Sequence, residues 1–288
     1  MPRYELSGRV VVVTGSSGGL GSALCPVLRA RGARLALFDL DARAVQSQAG
    51  ELGGERFARG WAVDVRSLAG LEAAMAEAAA HFGQIDVVIA NAGIEALQSL
   101  ADIDPGLHER VIDVNLNGVW RTFRAGLPYV AQQEGYLLAI ASMAAFVHSP
   151  LQSSYVAAKA GVWALCDSLR LEVRDLGVSV GSVHPTFFKT PMTDAMVADP
   201  AGEALWGGHA PGLLKMGIWR MVPLDSVVAA IVRGIERRAE VVVVPRLYAI
   251  VATAPGRFRW FIEWWGFRGG RIAKAMALSR GERPPGTG

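Results

Sequence analysis

Residues 9–32, RVVVVTGSSGGLGSALCPVLRARG, decide the fold. The run from Arg9 to Thr14 is β-branched without polar alternation, the composition of a strand buried on both faces of a parallel sheet. Gly15 follows at once, then Ser16, Ser17, Gly18, Gly19, Leu20 and Gly21, and the stretch after them predicts a helix ending at Gly32. Strand, glycine turn and helix in that order aim backbone amides and a helix N-terminus at one place, an arrangement that can hold a pyrophosphate. The spacing is G-x-x-x-G-x-G instead of the commoner G-x-G-x-x-G, and a glycine turn also has a purely steric reading. Pro26 falls inside the helix, where it removes a hydrogen bond and predicts a kink.

Outward from this unit the alternation repeats. RLALFDL, RGWAVDV, IDVVIANAG, YLLAIAS, VSVGSVHP and EVVVVP read as further strands, with helical stretches between them. The fold class is therefore α/β: a Rossmann-like, doubly wound parallel sheet of about seven strands with helices on both faces. Residues 1–245 are expected to form this domain. Within it, 186–222 break the pattern with Gly, Pro, Met and Trp and read as a substrate lid. The tail, 246–288, interleaves aromatic and basic residues, and its end, RGERPPGTG, reads as disordered.

Composition narrows the function. The chain has 288 residues, 51% of them hydrophobic and 19% charged, enough for one large core and unlike a disordered chain. A net charge of +3 gives no argument for nucleic acid as a partner. Cys25 and Cys166 fall on separate predicted helices and read as buried apolar residues in a reducing compartment. The five histidines lack ligand spacing, so no metal site is expected. There is no basic-then-apolar leader and no apolar run approaching a bilayer span, so a cytoplasmic location is expected.

Several polar residues stand where the predicted strands end. Asp39 lies 24 residues after Gly15, where its carboxylate can accept from both hydroxyls of an adenosine ribose and would repel a 2′-phosphate. No Lys or Arg occupies Ser16 to Leu20 or Leu40 to Asp41, and Arg43 is expected to face solvent. NAD is thus preferred over NADP, against the plain reading of Asp39 as a strand-end carboxylate. Asp64 and Val65 end the third strand, and Asn91-Ala92-Gly93 form a turn at the end of the fourth. HERVIDVNLNGVWRTFRAGLPYV reads as one long helix with Asn115 inside it, among Val111, Val114 and Val119. A buried mid-helix amide needs partners, which argues for a side-chain role.

Ser142 follows the fifth strand; Tyr155 comes thirteen residues later and Lys159 four further, one turn along the same helix face. An ammonium beside a phenol favours the phenolate, so Tyr155 is expected to exchange a proton nearer neutrality than its usual pH 10. Taken alone, Y-x-x-x-K also occurs by chance on helices.

With these residues assembled, the chain resembles the short-chain dehydrogenase/reductase family, in its single-domain branch, from about Gly8 to Pro245. Thr14-Gly15-x-x-x-Gly19-x-Gly21 matches the cofactor turn, Asp39 the NAD-selecting acid and Asp64-Val65 the adenine contact. Asn91-Ala92-Gly93 matches the strand-four motif, with Ala90 in place of its first Asn. Asn115, Ser142, Tyr155 and Lys159 match the catalytic tetrad. Pro185 to Thr190 matches the P-G-x-x-x-T segment at the nicotinamide amide, with Thr186 where glycine is usual. The resemblance implies NAD bound by Gly15, Ser17, Gly18, Gly19, Leu20 and Gly21, by Asp39, Leu40, Asp64 and Val65, and by Asn91, Ala92, Gly93 and Val114. Tyr155, Lys159, Pro185, Thr186, Phe188 and Thr190 complete that set. It further implies hydride transfer at a secondary alcohol or ketone, with Tyr155 moving the proton. Lys159 lowers the Tyr155 pKa and holds the nicotinamide ribose, Ser142 holds the substrate oxygen, and Asn115 binds a water in the proton path. A homodimer or homotetramer through the helices bearing Asn115 and Tyr155 is the implied assembly.

The residues expected around the nicotinamide include Met143, Phe146, Val147, Phe187, Phe188, Trp206, Leu213, Leu214, Met216 and Trp219, with Glu95, His148, Gln152 and His209 as the polar candidates. Met143, His148, Gln152, Phe187 and Trp206 are the substrate residues chosen from them. Such a lining favours a bulky hydrophobic alcohol or ketone: steroid, terpenoid, aromatic or long-chain. Equally, many of these side chains could form the lid's own core. The tail suits a membrane interface or packing over the lid or a subunit contact, and packing is the favoured alternative. Rival functions are an NADP-linked carbonyl reductase, which Asp39 disfavours, and a non-catalytic dinucleotide sensor, which could dispense with Tyr155 and Lys159.

Overall fold

A computed structural model describes residues 3–207, 221–253 and 270–282. Seven parallel strands form one sheet in the order β3-β2-β1-β4-β5-β6-β7. They are β1 Val10–Thr14, β2 Arg34–Asp39, β3 Ala58–Ala62, β4 Val87–Ala90, β5 Tyr136–Ile140, β6 Ser179–Pro185 and β7 Val241–Val244. In β1 the pleat divides the valines. Val11 and Val13 join one core with α1 (Gly19–Ala30), α2 (Ala42–Glu51) and α9 (Leu224–Arg237). Val10 and Val12 join the other, with α3 (Leu68–Phe82), α5 (Gly118–Gln132) and α6 (Ser153–Glu172). Both faces of the strand are thus apolar because both are covered.

The order reverses between β1 and β4, so their carboxyl ends lie side by side, with Val13 paired to Ile89. The adjacent strand ends splay their following loops apart and leave a crevice, the usual ligand position in an open α/β sheet.

Pro26 lies inside a helix as expected, and two other expectations change. The helix α1 runs through Pro26, which is exposed beside an exposed Ser22, so the carbonyl freed by the missing amide can turn to water. The long helix expected over 108–130 is divided. It starts earlier, as α4 (Pro105–Ile112), with the Asp104 side chain capping Leu107 N and Pro105 in the first turn. A π-helical turn, Asp113–Asn117, then separates α4 from α5. Within 186–222, Thr190 caps α7 (Pro191–Ala198) and exchanges bonds with Thr193, so the described part of that segment is more regular than its composition suggested. After α7 come a single turn α8 (Pro200–Gly202) and a π turn Glu203–Gly207.

The described part of the tail packs on residues of the 186–222 segment. Helices α10 (Ala249–Thr253) and α11 (Arg271–Ser279) contribute Val251, Ala252 and Ala275 to a third apolar cluster with Met196, Leu205 and Trp206. Arg280 pairs with Asp102 at 3.2 Å. The aromatic residues from Phe258 to Phe267 and the terminal 283–288 lie outside the described residues. Among the described residues no helix is long and apolar enough to cross a membrane. No cluster of His, Cys, Asp or Glu there could hold a metal.

Candidate active site

The crevice opens into a cavity of about 800 Å³ that reaches from the glycine turn to Tyr155. Its rear wall is the junction of β1 and β4. Thr14 Oγ1 accepts from Asn91 N at 3.0 Å and Ala92 N at 3.2 Å, while Asn91 Nδ2 donates to the carbonyls of Thr14 (3.0 Å) and Gly15 (2.8 Å). These bonds hold the two turns in register. Gly15 has φ +63°, and a Cβ there would meet Ala92 Cα at 2.8 Å. A Cβ on Gly19 would meet Thr190 at 2.9 Å. Gly21 does not line the cavity but lies beneath it, where a Cβ would run into the carbonyl oxygens of Gly15 and, at 2.6 Å, Ser16. A backbone turn kept this bare beside a helix N-terminus fits a dinucleotide pyrophosphate.

Asp39 stands at the cavity rim, its Oδ2 accepting from Ser17 N at 2.9 Å and its Oδ1 from Leu40 N at 2.8 Å. Leu40 is exposed against the same rim, and Arg43 is exposed on α2. Asp64, Val65 and Val114 line the neighbouring wall. The Arg66 guanidinium clasps Asp64 with its Nη2 at 2.6 Å and holds that carboxyl below the usual carboxylate range. Arg66 and Arg110 also line this end; neither follows a motif, and the sequence reading missed both.

At the other end, Ser142, Tyr155 and Lys159 share one wall. Ser142 lies two residues past β5 and caps a short turn, Met143–Ala145, by accepting from Ala144 N at 3.1 Å. Lys159 is buried; its Nζ donates to Ile140 O at 2.8 Å and lies 5.5 Å from the centre of the Tyr155 ring. Burial lowers the Lys159 ammonium to about 8, and Glu95 opposes that fall. The lowered Tyr155 pKa expected from the sequence is not found. Burial raises it, Glu95 adds to the rise, and the Ser142 hydroxyl, hydrogen-bonded to the phenol, only partly offsets them. The protein by itself therefore holds Tyr155 as a neutral phenol at neutral pH.

Asn115 lies behind this wall instead of lining it. It is fully buried, and its side chain is spent on one residue: Oδ1 accepts from Ile94 N at 2.8 Å and Nδ2 donates to Ile94 O at 2.7 Å. The π turn carries the amide to that position, a local geometry often found at functional sites.

Gly18, Leu20, Gly93, Pro185, Thr186, Phe188 and Thr190 all line the cavity, as do Met143, Gln152 and Phe187. Thr186 is buried with its amide on Val244 O at 2.8 Å, so a side chain where glycine is usual is accommodated at the end of β6. His148 is exposed and does not line the cavity. Trp206 is buried against Phe187, with ring centres 5.7 Å apart, in the lid's own core. Phe146 likewise packs on Trp163 and His184. His209, Leu213, Leu214, Met216 and Trp219 lie outside the described residues.

His184 was missed. This fully buried imidazole donates from Nδ1 to Ser142 O at 3.1 Å, which leaves Nε2 to accept from Ser182 Oγ at 2.8 Å. Burial pushes its pKa down to about 4. A lone histidine inside the apolar run VSVGSVHP was the available signal, since a buried imidazole must find partners. His184→Leu should free the Ser142 carbonyl and lower kcat about tenfold to a hundredfold with little change in NAD affinity, read by steady-state kinetics beside a binding titration.

A family profile described as short chain dehydrogenase matches residues 9–201. D-threitol dehydrogenase of Mycolicibacterium smegmatis is 33% identical over 204 residues, 70% of this chain and 78% of its own. D-beta-hydroxybutyrate dehydrogenase of Rhizobium meliloti is 31% identical over 198 residues, 67% of this chain and 76% of its own. The crystal structure of gox2181 superposes with a TM-score of 0.74 at 26% identity, covering 83% of this chain and 94% of that one. The match spans the glycine turn, the crevice and the Ser142–Lys159 wall, and the chain is an oxidoreductase of the short-chain dehydrogenase family.

Proposed function

We propose that the protein is an NAD-dependent dehydrogenase that transfers a hydride between nicotinamide and a secondary alcohol or ketone with a bulky apolar body. One observation carries this reading: Ser142, Tyr155 and Lys159 stand on one wall of a cavity whose far end is a glycine turn with Asp39 at its rim. In this reading the turn from Gly15 to Leu20 holds the pyrophosphate, and Asp39 with Leu40 takes the adenosine ribose. Asp64 and Val65 flank the adenine, while Asn91 to Gly93 and Val114 line the middle of the site. Lys159, with Pro185, Thr186, Phe188 and Thr190, surrounds the nicotinamide end. When bound there, the nicotinamide ring supplies or accepts the hydride.

The remaining steps belong to the chain. Ser142 orients the substrate oxygen, and Tyr155 exchanges a proton with it. Lys159, held by Ile140 O, fixes positive charge beside the phenol. The apolar character of Ile94, Met143, Val147 and Phe187 around the reacting end supports a hydrophobic substrate body and keeps water from the proton transfer. Two relatives named as dehydrogenases of hydroxylated small molecules support a small-molecule alcohol. The packing of α11 on the lid supports the packing reading of the tail. Exposed Trp120 on α5 and Leu171 on α6 support assembly of copies through those helices.

The direct test is an NAD-coupled screen of secondary alcohols graded by size and polarity. Bulky apolar alcohols are expected to give the higher kcat/KM, and a clear preference for short polar ones would reject the apolar-pocket reading. In calorimetric titrations NAD should bind at least about tenfold more tightly than NADP, because the 2′-phosphate would face Asp39 with no free cation on Leu40 or Asp41. Equal affinities would reject the NAD assignment.

A further inference from the structure

Glu95 is a carboxylate lining the same cavity as Ile94, Met143, Val147 and Phe187. Its place is fixed from both sides. The Asn115 amide grips the backbone of the preceding residue through two hydrogen bonds, and Gln152, buried before the first turn of α6, donates from Nε2 to Glu95 Oε1. That glutamine bond is the one side-chain partner of Glu95 among the described residues, although an ionised carboxylate can accept about four hydrogen bonds. Glu95 lines the cavity, so a bound molecule can meet that unused capacity. Burial of a carboxylate with so few donors is costly, and it is repaid when a ligand brings another.

Glu95 also sits close to the reacting groups. Its charge is felt by both Tyr155 and Lys159, titratable side chains that line the same cavity. A donor reaching it would therefore be carried by the same small molecule whose oxygen lies against Tyr155. The Lys159 ammonium already offsets the Glu95 charge, which favours a neutral hydroxyl over a second cation as the further donor.

We propose that Glu95, held in place by Gln152, is a specificity-determining residue that accepts a hydrogen bond from a second hydroxyl of the substrate, close to the reacting carbinol. The preferred substrate is then an apolar body bearing a diol, or the corresponding hydroxyketone, and not a simple hydrophobic alcohol. This inference rests on the alcohol dehydrogenase reading above and narrows it.

The test uses the full-length protein with NAD and one scaffold: 1-phenylethanol, 1-phenyl-1,2-ethanediol, 1-phenyl-1,3-propanediol and 2-amino-1-phenylethanol. One of the two diols is expected to exceed 1-phenylethanol in kcat/KM by at least about tenfold, mostly through KM, and to exceed the amino alcohol. In Glu95→Leu the ratio of diol to 1-phenylethanol should fall towards one. A second measurement needs no variant. Burial pushes the Glu95 carboxyl up to about 7, so the wild-type ratio should rise severalfold from about pH 6 to about pH 8 as the stronger acceptor forms. Ionisation of Tyr155 or Lys159 affects numerator and denominator alike. A wild-type ratio near one, or a ratio that survives Glu95→Leu, would overturn the proposal while leaving the dehydrogenase reading intact. If Glu95→Leu fails to fold, a ratio that stays flat between those pH values overturns it instead. Absence of NAD-linked turnover with every alcohol would overturn both.

Discussion

Tyr155→Phe is expected to lower kcat by about 10²- to 10⁴-fold, the usual contribution of a positioned acid or base, while NAD affinity stays nearly unchanged. The substitution removes one oxygen from a half-buried ring and leaves Lys159 on Ile140 O, so the wall keeps its shape. Single-turnover absorbance at the reduced-nicotinamide band, beside calorimetric titration of NAD, separates the two quantities. Full activity in the variant would remove Tyr155 from the chemistry. The pH dependence has a definite sign. Burial and Glu95 raise the phenol above its ordinary value, so the protonated form, the proton donor to a carbonyl oxygen, persists through neutral pH. The phenol itself therefore gives ketone reduction no pH dependence near neutrality and a decline at alkaline pH. Alcohol oxidation, which needs the phenol to accept a proton, should climb as pH rises.

Gly21→Ala is expected to act at the opposite end of the cavity, lowering NAD affinity more than tenfold and melting temperature by several degrees. The added methyl has no free space: it meets the carbonyl oxygens of Gly15 and Ser16, which are backbone atoms and cannot rotate away. Either the turn opens or the start of α1 shifts, and both move the amides aimed into the crevice. Overpacking of this kind costs about 1–3 kcal/mol in a close-packed interior. Gly50→Ala is the matched control. Gly50 lies within α2 with nothing within 4 Å of its Cβ position, so alanine there should stabilise by up to about 1 kcal/mol and leave binding unchanged. Thermal melts and NAD titrations of both variants check the contrast. Loss of affinity in neither would show that the turn tolerates displacement.

The sheet was legible because its strands are short, continuous apolar runs, several of them ended by a polar residue or a proline. Asp39, Asn91 and Pro185 mark three such ends, and all three line the cavity. The helices were harder. A π turn has no separate hydrophobic period, so VIDVNLNGV read as part of one helix, although a buried Asn115 was correctly expected to need partners. Thr190-Pro191 carried an ordinary helix-start signal that the surrounding Gly, Pro and Met obscured. In the lid, the large apolar side chains could not be sorted into lining and core by type. Phe187 faces the cavity while Trp206 packs beside it in the third cluster.

Electrostatics were the least legible part. The Tyr155–Lys159 spacing placed two partners on one helix face, but the protonation of the phenol depends on desolvation and on Glu95, 60 residues earlier in the chain. His184 was hidden for a similar reason. Its importance lies in bonds to Ser142 and Ser182, and only the pairing of β5 with β6 brings Ser142 to it.

The bond from Ser17 N to the Asp39 carboxylate ties the acid at the end of β2 to the loop that leaves β1. If the coenzyme is NAD as proposed, admitting the phosphorylated form is consequently not a single-residue exercise. Neutralising that acid releases an amide of the neighbouring loop as well, so a useful redesign would have to rebuild the loop's support in the same step.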